Sequence, residues 1–215
     1  MTPETVEALF TRSDGTFRFA RWGRPLAPVV FGTDDASLDL IKDALRATAA
    51  LGGLAIVDTD PEFGANLLIF FVSEWGELAG VPNLDRLIPD LGPLLDRLVQ
   101  AGANQYRSFR FDADGAISLC TILLRMDDDL SALSAHTLAT GQMVQSMLLW
   151  SDIAFRTESP LATVTDSGHT VARPDIAALI RAAYDPVLPA ASDSPAQAHR
   201  LAARAGLLLG QPEAD

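Results

Sequence analysis

The stretch over residues 105–152 reads QYRSFRFDADGAISLCTILLRMDDDLSALSAHTLATGQMVQSMLLWSD, and it decides the fold that we expect. Its first part contains two runs of strand-forming residues, at 105–111 and 116–124. The Asp114-Gly115 pair between the runs is a strong signal for a hairpin turn. The sequence therefore predicts two neighbouring strands joined by a tight turn.

The second part of this stretch, residues 130–150, contains no Asp, Glu, Lys or Arg. A run of this length could span a bilayer. Polar side chains nevertheless interrupt it at Ser134, His136, Thr137, Thr140, Gln142, Gln145 and Ser146. Their desolvation in lipid would be costly, so we expect no transmembrane segment. We predict instead a mostly buried central helix, with the apolar Leu133, Val144 and Met147 in the core.

The remaining elements alternate along the chain. Strands are predicted over residues 16–22, 29–31, 54–57 and 66–72, and helices over 34–50, 84–88, 93–101, 175–184 and 195–209. The apolar run at 66–72 is typical of a strand that is buried on both faces. We expect one α/β domain over residues 1–190, followed by a C-terminal helix and a frayed tail over 191–215.

The charge of the chain narrows the classes of partner. Its 215 residues include 16 Lys and Arg against 28 Asp and Glu, which gives a formal net charge of −12. An anionic surface repels phosphate groups, so we expect neither nucleic acid nor an anionic membrane as a partner. The first residues lack the basic start and apolar run of a secretion signal. A signal could have been trimmed, so the localisation stays open.

Several polar residues could in principle carry chemistry outside the central helix. Cys120 is the only cysteine and lies in an apolar run, which predicts a buried, inert thiol and excludes a disulfide. Asp112 resembles the start of a calcium loop, but apolar residues follow where oxygen ligands belong, so a turn is predicted. The cluster of Asp58, Asp60 and Glu62 could bind a hard cation or act as an acid/base pair, although solvated turn residues explain it more simply.

One pattern in the central helix is not explained by core packing. Gly141 costs about 1 kcal/mol relative to alanine within a helix. Buried Gln142 and Gln145 need hydrogen-bond partners, which we expect to be neighbouring backbone or ordered water. With Ser151 and Asp152, the pattern resembles the zinc metallopeptidase helix HExxHxxGxxH followed by Asp, in an eroded form. The resemblance places Gln142 at the general base, Gln145 at the second ligand and Ser151 at the third. Gly141 takes the first ligand position, and Leu148 stands where the motif has glycine.

Other short stretches extend this resemblance over about residues 17–190. They are Arg21-Trp22, Ala65-Asn66, Arg173-Pro174-Asp175 and Tyr184-Asp185-Pro186-Val187-Leu188. With Gln145 and Asp152, they make the chain similar to the bacterial family known as domain of unknown function 2927, in which Glu and Gln replace the motif histidines. Gly141, Gln142, Leu148 and Ser151 depart from that family's pattern. The resemblance implies an α+β fold: a zincin-like mixed sheet with a buried central helix and flanking helices.

The donor set argues against catalysis by zinc. A catalytic zinc site needs three protein donors and an open position for water. Gly141 has no side chain, Gln145 offers a weak amide, and Ser151 offers a neutral hydroxyl. Gln142 cannot accept a proton at neutral pH. His136 lies about 180° around the helix from Gln145, so it cannot replace a ligand, and we expect no metal and no other cofactor.

These observations leave three hypotheses for function. The leading one is a catalytically inactive, metallopeptidase-like domain that binds or scaffolds a peptide or protein, with an extended chain pairing along a sheet edge beside the strand at residues 65–72. The second is an active hydrolase that uses His169 with Asp166 or Asp175. The third is a plain structural domain of the cell envelope, to which the family resemblance allows export.

Overall fold

A computed structural model describes residues 1–165 and 168–210 of this protein. Its helices are α1 (Pro3–Phe10), α2 (Asp35–Leu51), α3 (Leu84–Leu87), α4 (Leu91–Gln100), α5 (Asp128–Ser131), α6 (Ala135–Ser146), α7 (Pro174–Ala183) and α8 (Ala196–Leu209). Its strands are β1 (Phe19–Ala20), β2 (Pro28–Phe31), β3 (Leu67–Val72), β4 (Gln105–Phe111), β5 (Ile117–Arg125), β6 (Leu161–Thr163), β7 (Thr170–Ala172) and β8 (Ala191–Ser192). A 3₁₀ helix, Trp75–Gly80, follows β3. None of the helices in the described ranges is both long and apolar enough to cross a bilayer.

A mixed sheet in the order β2-β3-β5-β4 forms the centre of the fold. β2, β3 and β5 are parallel, and β4 is antiparallel to β5. At the turn between β4 and β5, Asp112 Oδ1 accepts from the amides of Asp114 at 3.0 Å and Ala116 at 2.9 Å. The predicted hairpin is therefore confirmed, and the acidic residues of this turn hold its backbone. The α+β class is also confirmed.

Helices cover both faces of this sheet. Residues Leu67 and Ile69 of β3 belong to the core cluster under α2 and α6, whereas Leu68 and Phe70 belong to the cluster under α3, α4 and the 3₁₀ helix. Successive side chains of a strand point to opposite faces, so an apolar run is required where both faces are covered. The prediction that this strand is buried on both faces is confirmed.

The expected position of a free sheet edge was wrong. β3 is paired with β5 along its whole length and with β2 over its first four residues, so it is an interior strand of the sheet. The edge strands of this sheet are β2 and β4. An apolar run buried on both faces is favoured at the interior of a sheet, because an interior strand also has its backbone groups satisfied.

The central helix is shorter than predicted. The stretch over residues 130–150 contains α5, a break, and then α6, which starts at the cap residue Ser134, whose side chain accepts from the amide of Thr137. The break exposes Leu133, which was expected in the core but is 44% accessible. Burial is confirmed for most of α6, including Val144 at 0% accessibility.

Aromatic donors end α6. The indole Nε1 of Trp22 donates to the carbonyl of Ser146 at 2.8 Å, and that of Trp150 donates to the carbonyl of Val144 at 3.1 Å. The hydroxyl of Tyr184 donates to the carbonyl of Met147 at 2.7 Å. The last carbonyls of a helix have no partner within the helix, and burying them unpaired is costly. These bonds therefore allow the helix to end inside the core.

A third group of helices packs around the end of α6. Residues of α1, α7 and α8, including Phe10, Leu179 and Leu201, share a core cluster with Val144 and Leu148. The sequence pattern did not indicate α1, although the side chain of its cap Thr2 accepts from a first-turn amide. α8 therefore joins the same core as the preceding helices, and residues 211–215 lie outside the described ranges.

Three predicted segments differ in detail from the structure. Residues 54–57 form a single bridge between Ile56 and Leu26 rather than a strand. Residues 16–22 form isolated bridges to different parts of the chain, so the only regular strand among them is β1, which pairs with β8. The segment over 157–170, where the sequence predicted neither strand nor helix, includes β6, which pairs with β7. Short pairings of this kind depend on distant partners and leave no period in the local sequence.

Burial of α6 can be tested with a matched pair of substitutions. Val144→Asp should lower the free energy of unfolding by about 3 kcal/mol or more, because it places an unpaired charge in the core. Leu133→Asp introduces the same group at an exposed position and should change stability by less than about 0.5 kcal/mol. Chemical denaturation of both variants measures the difference. Equal losses would contradict the position of the break before α6.

Candidate functional site

Two of the residues that the sequence singled out, Gln142 and Gln145, lie next to the edge strand β4. Arg107 of β4 is opposite Ile122 in the ladder, and Ile122 belongs to the core under α2 and α6. Opposed residues of neighbouring strands point to the same face, so Arg107 points toward α6. Gln142 and Gln145 of α6 meet it there. The motif side chains that the sequence singled out therefore face a basic residue.

Hydrogen bonds join these side chains into one group, which we call the Arg107 cluster: Arg107, Gln105, Gln142 and Gln145. Arg107 Nη2 donates to Gln142 Oε1 at 2.5 Å, and Arg107 Nη1 lies 3.4 Å from Gln145 Oε1. Gln142 Nε2 donates in turn to Gln105 Oε1 at 3.0 Å. Gln142 is buried, whereas Arg107 and Gln145 are half-buried. The expectation that backbone or ordered water would bind Gln142 and Gln145 was wrong, because their partners are side chains of the cluster.

The chemistry of arginine fixes the orientation of the amides. A guanidinium has only donors, so both glutamine groups that meet Arg107 must present their oxygens to it. Gln142 then has only its NH₂ group left, and this group requires an acceptor, which is Gln105 Oε1. The three glutamine oxygens are therefore directed into the cluster.

No acidic side chain of the described ranges forms an ion pair with Arg107. Its Nε is buried and has no hydrogen-bond partner within those ranges. Burial lowers the pKa of the Arg107 guanidinium, since removal from water disfavours its charged form, but arginine stays protonated in proteins. The cluster consequently holds one positive charge. Uncharged amide oxygens stabilise this charge, and no carboxylate in the described ranges balances it.

Cys120 of β5 lies near Arg107 of the neighbouring strand β4. Burial raises the pKa of its thiol to about 12, and the nearby guanidinium opposes this shift only in part. The thiolate is the reactive form of cysteine, and very little of it is present at neutral pH when the pKa is this high. The prediction of a buried thiol is confirmed.

The other motif positions do not join the cluster. Gly141 is buried within α6, and a β-carbon added there would lie 3.4 Å from Leu161 Cδ1. The chain leaves the helix after Ser146, and the Ser151 hydroxyl accepts from the amide of Ala154 at 3.1 Å. Asp152 accepts from the amide of Ser13 at 2.9 Å and from its hydroxyl at 2.6 Å. Ser151 and Asp152 thus bind local and N-terminal backbone.

These residues do not fit a zinc ion. Gly141 supplies no donor, and the hydroxyl of Ser151 is engaged with backbone amides. The oxygens of Gln142 and Gln145 are directed at a cation already. In the described ranges, no group of three or more His, Cys, Asp or Glu side chains is placed to hold a metal.

The histidines of the hydrolase hypothesis lie elsewhere. The rings of His136 and His169 are 6.1 Å apart at a cleft of about 540 Å³ that also involves α2, α7 and α8. Both carboxylate oxygens of Asp175 accept from Arg173, at 2.8 and 2.7 Å. Asp166, the other suggested partner of His169, lies outside the described residues.

The acidic cluster at Asp60 forms a turn, as the simpler interpretation predicted. Asp60 accepts from the amides of Glu62 and Phe63 at 2.9 Å and from Asn66 Nδ2 at 3.1 Å. Arg24 Nη1 lies 3.4 Å from Asp60 and 2.8 Å from Glu62. Asp60 is buried rather than solvated, and these bonds outweigh the desolvation and lower its pKa.

No family model, curated protein or solved structure matches this chain.

The sequence analysis missed Arg107 and Gln105. A signal was present in β4, where Gln105 and Arg107 precede Phe109 and Phe111 at alternate positions. Alternate residues share a face of a strand, and both phenylalanines pack on the core under α6. Gln105 and Arg107 on the core-facing side of the strand therefore needed hydrogen-bond partners. The glutamines at 142 and 145 of the predicted helix could have supplied them.

The role of Gln142 can be separated from general packing by a double-mutant cycle. Gln142→Met should destabilise the protein by about 1–3 kcal/mol, because a desolvated guanidinium loses its closest acceptor. Gln145→Ala should cost less, since its bond is longer and half-exposed. In an Arg107→Met background the cost of Gln142→Met should largely disappear. Equal costs in both backgrounds, measured by denaturant unfolding, would show that Arg107 is not its partner.

Cys120 should resist thiol reagents in the native protein. Its raised pKa and its burial both suppress attack by the thiolate. Reaction with Ellman's reagent should be complete in denaturant and negligible under native conditions at neutral pH. Rapid labelling of the folded protein would show that the thiol is accessible.

Proposed function

We propose that this chain is a catalytically inactive, metallopeptidase-like domain that binds an extended segment of a peptide or protein along β4. The observation that carries the proposal is the position of the degenerate motif helix, α6, beside an antiparallel edge strand whose Arg107 bonds to both motif glutamines. Binding at this place would serve recognition or scaffolding.

The chemistry of the motif positions supports inactivity. The zincin resemblance assigns Gln142 to the general base and Gln145 to the second metal ligand. An amide cannot take a proton at neutral pH, so Gln142 cannot activate water. The guanidinium of Arg107 meets both amide oxygens, so a cation of the protein itself occupies their acceptor capacity.

Two landmarks of the family resemblance support the same assignment. Trp22 and Tyr184 are far from α6 in the sequence, yet both donate hydrogen bonds to its last carbonyls. Burial raises the pKa of Tyr184, which keeps its hydroxyl protonated as a donor. Two of the stretches on which the resemblance is based therefore meet at the end of α6.

The backbone of β4 supports strand addition. The carbonyl of Asn104 accepts from the amide of Arg125 toward β5. Hydrogen-bonding direction alternates along an antiparallel strand, so Gln105, Arg107 and Phe109 direct their amides and carbonyls away from β5. No other strand of the described ranges pairs with that side. An extended segment can add there through backbone hydrogen bonds.

The opposite edge of the sheet is less suitable. β2 has four residues, against seven in β4, and it begins with Pro28, which has no amide hydrogen to donate. β4 is also anchored from its other face, because Arg110 donates to the carbonyls of Arg86 and Leu87. Because β4 is longer than β2 and is fixed in place by hydrogen bonds, it is the better template for pairing with another chain.

Inactivity predicts the absence of bound zinc and of peptidase activity. After dialysis, the purified protein should contain far less than one zinc per chain by elemental analysis, because its motif lacks a donor set. Gln145→His should create no peptidase activity, since Gly141 still supplies no ligand. About one zinc per chain, or hydrolysis of a peptide library by the native protein, would overturn the assignment.

Strand addition predicts where a bound peptide protects the backbone. A pool of random acetylated and amidated peptides as long as β4 should contain binders that slow hydrogen exchange at Gln105, Arg107 and Phe109. Methylation of alternate peptide amides should abolish their binding, because it removes the donors that pair with β4. Protection that maps away from β4, or no binder in the pool, would contradict the proposed function.

A further inference from the structure

We propose that the Arg107 cluster recognises an acidic side chain, Asp or Glu, in the segment that pairs with β4. This inference rests on the proposed strand addition at β4 and specifies which segments bind there.

The remaining hydrogen-bonding capacity of the cluster points to an acceptor. The Oε1 atoms of Gln142 and Gln145 accept from Arg107, and Gln105 Oε1 accepts from Gln142. The NH₂ groups of exposed Gln105 and half-buried Gln145 donate to no residue in the described part of the chain, and Arg107 Nε is buried there without a partner. A group that completes this cluster must therefore accept several hydrogen bonds.

Charge selects a carboxylate among the possible acceptors. The chain has 28 acidic residues against 16 basic ones, yet none of the acids in the described ranges pairs with Arg107. A half-buried guanidinium has lost part of its hydration, and a carboxylate restores more of that free energy than a neutral group does. Arginine also matches a carboxylate with two parallel N–H donors.

The position of Arg107 within β4 favours a side chain over a peptide terminus. Outward-directed backbone groups lie on both sides of it, at Gln105 and at Phe109. A segment that uses all of them passes Arg107 and continues, so its residue opposite Arg107 is internal. Cross-strand neighbours have β-carbons about 5 Å apart, which brings an Asp or Glu side chain within reach.

The next position on the same face specifies a second feature. Phe109 lies two residues from Arg107 and packs partly buried against the core under α6. The peptide residue opposite Phe109 is two positions from the acidic one, and an apolar side chain there extends the buried surface. The structure thus assigns an acidic residue and an apolar residue separated by one position.

The experiment compares acetylated and amidated peptides as long as β4, made of Thr and Ser with one Leu. Two positions from the Leu, the peptides carry Asp, Glu, Asn or Gln, and a further arm carries Asn with a free C-terminal carboxylate. Fluorescence anisotropy on the full chain measures Kd. The Asp or Glu peptide should bind about tenfold or more tightly than its amide counterpart, as expected for a charge-assisted bond.

Variants of the two arginines of β4 locate the effect. Arg107→Met should remove the preference for the acid, and Arg107→Lys should reduce it, because lysine keeps the charge without the paired donors. Arg110→Gln removes bonds that anchor β4 from the opposite face, so it should weaken the binding of all peptides to a similar extent and keep the ratio between acid and amide. Thermal melts and hydrogen exchange of the β4 backbone establish that each variant is folded. If Arg107→Met does not fold, the comparison of Arg107→Lys with the native protein is the test.

The outcomes separate this inference from the proposed function. Equal binding of acidic and amide peptides at β4 would overturn the inference while leaving strand addition intact. Tighter binding of the free-terminus arm would assign the cluster to a terminal carboxylate instead, and would also overturn it. Failure of every peptide to bind at β4 would overturn the proposed function itself.

Discussion

The end of α6 inside the core is the constraint on which this fold depends. A helix that stops in an apolar interior leaves carbonyls without partners, and each unpaired group would cost about 1–3 kcal/mol. Trp22, Trp150 and Tyr184 supply donors at that point. These residues come from three separate parts of the chain, so the N-terminal segment, the turn after α6 and the end of α7 must converge there.

This convergence also sets the position of the motif glutamines. With its C-terminal end held, α6 lies across the sheet beside β4, and Gln142 meets Arg107. In the zincin resemblance, the same helix face would present a base and a ligand to a metal. Here a guanidinium carried by the edge strand takes up both amide oxygens. The structure thus places one guanidinium and the amides that bind it beside an edge strand of the sheet.

The location of the cluster at a sheet edge explains why it remains partly exposed. An interior strand such as β3 has its backbone paired on both sides and its side chains covered by helices. β4 has a neighbour on one side only, so Arg107 can bond to α6 and still be half-exposed, while its Nε is buried and has no partner in the described ranges. A charge of this kind is costly in a closed core, whereas at an edge an incoming chain can compensate it.

The sequence by itself determined the hairpin at Asp114-Gly115, the burial of β3 on both faces and the burial of most of α6, because turn chemistry and apolar runs are local properties. It also identified Gln142 and Gln145 as amides in need of partners, although Gln145 is half-buried and not buried as expected. Only the tertiary structure decided where α6 begins and ends, which strand forms the free edge, and that Arg107 is the partner. Arg107 and Gln142 are separated by 35 residues, and Trp22 and Ser146 by 124. Contacts at such separations depend on how the sheet and helices pack, and no local period in the sequence records them.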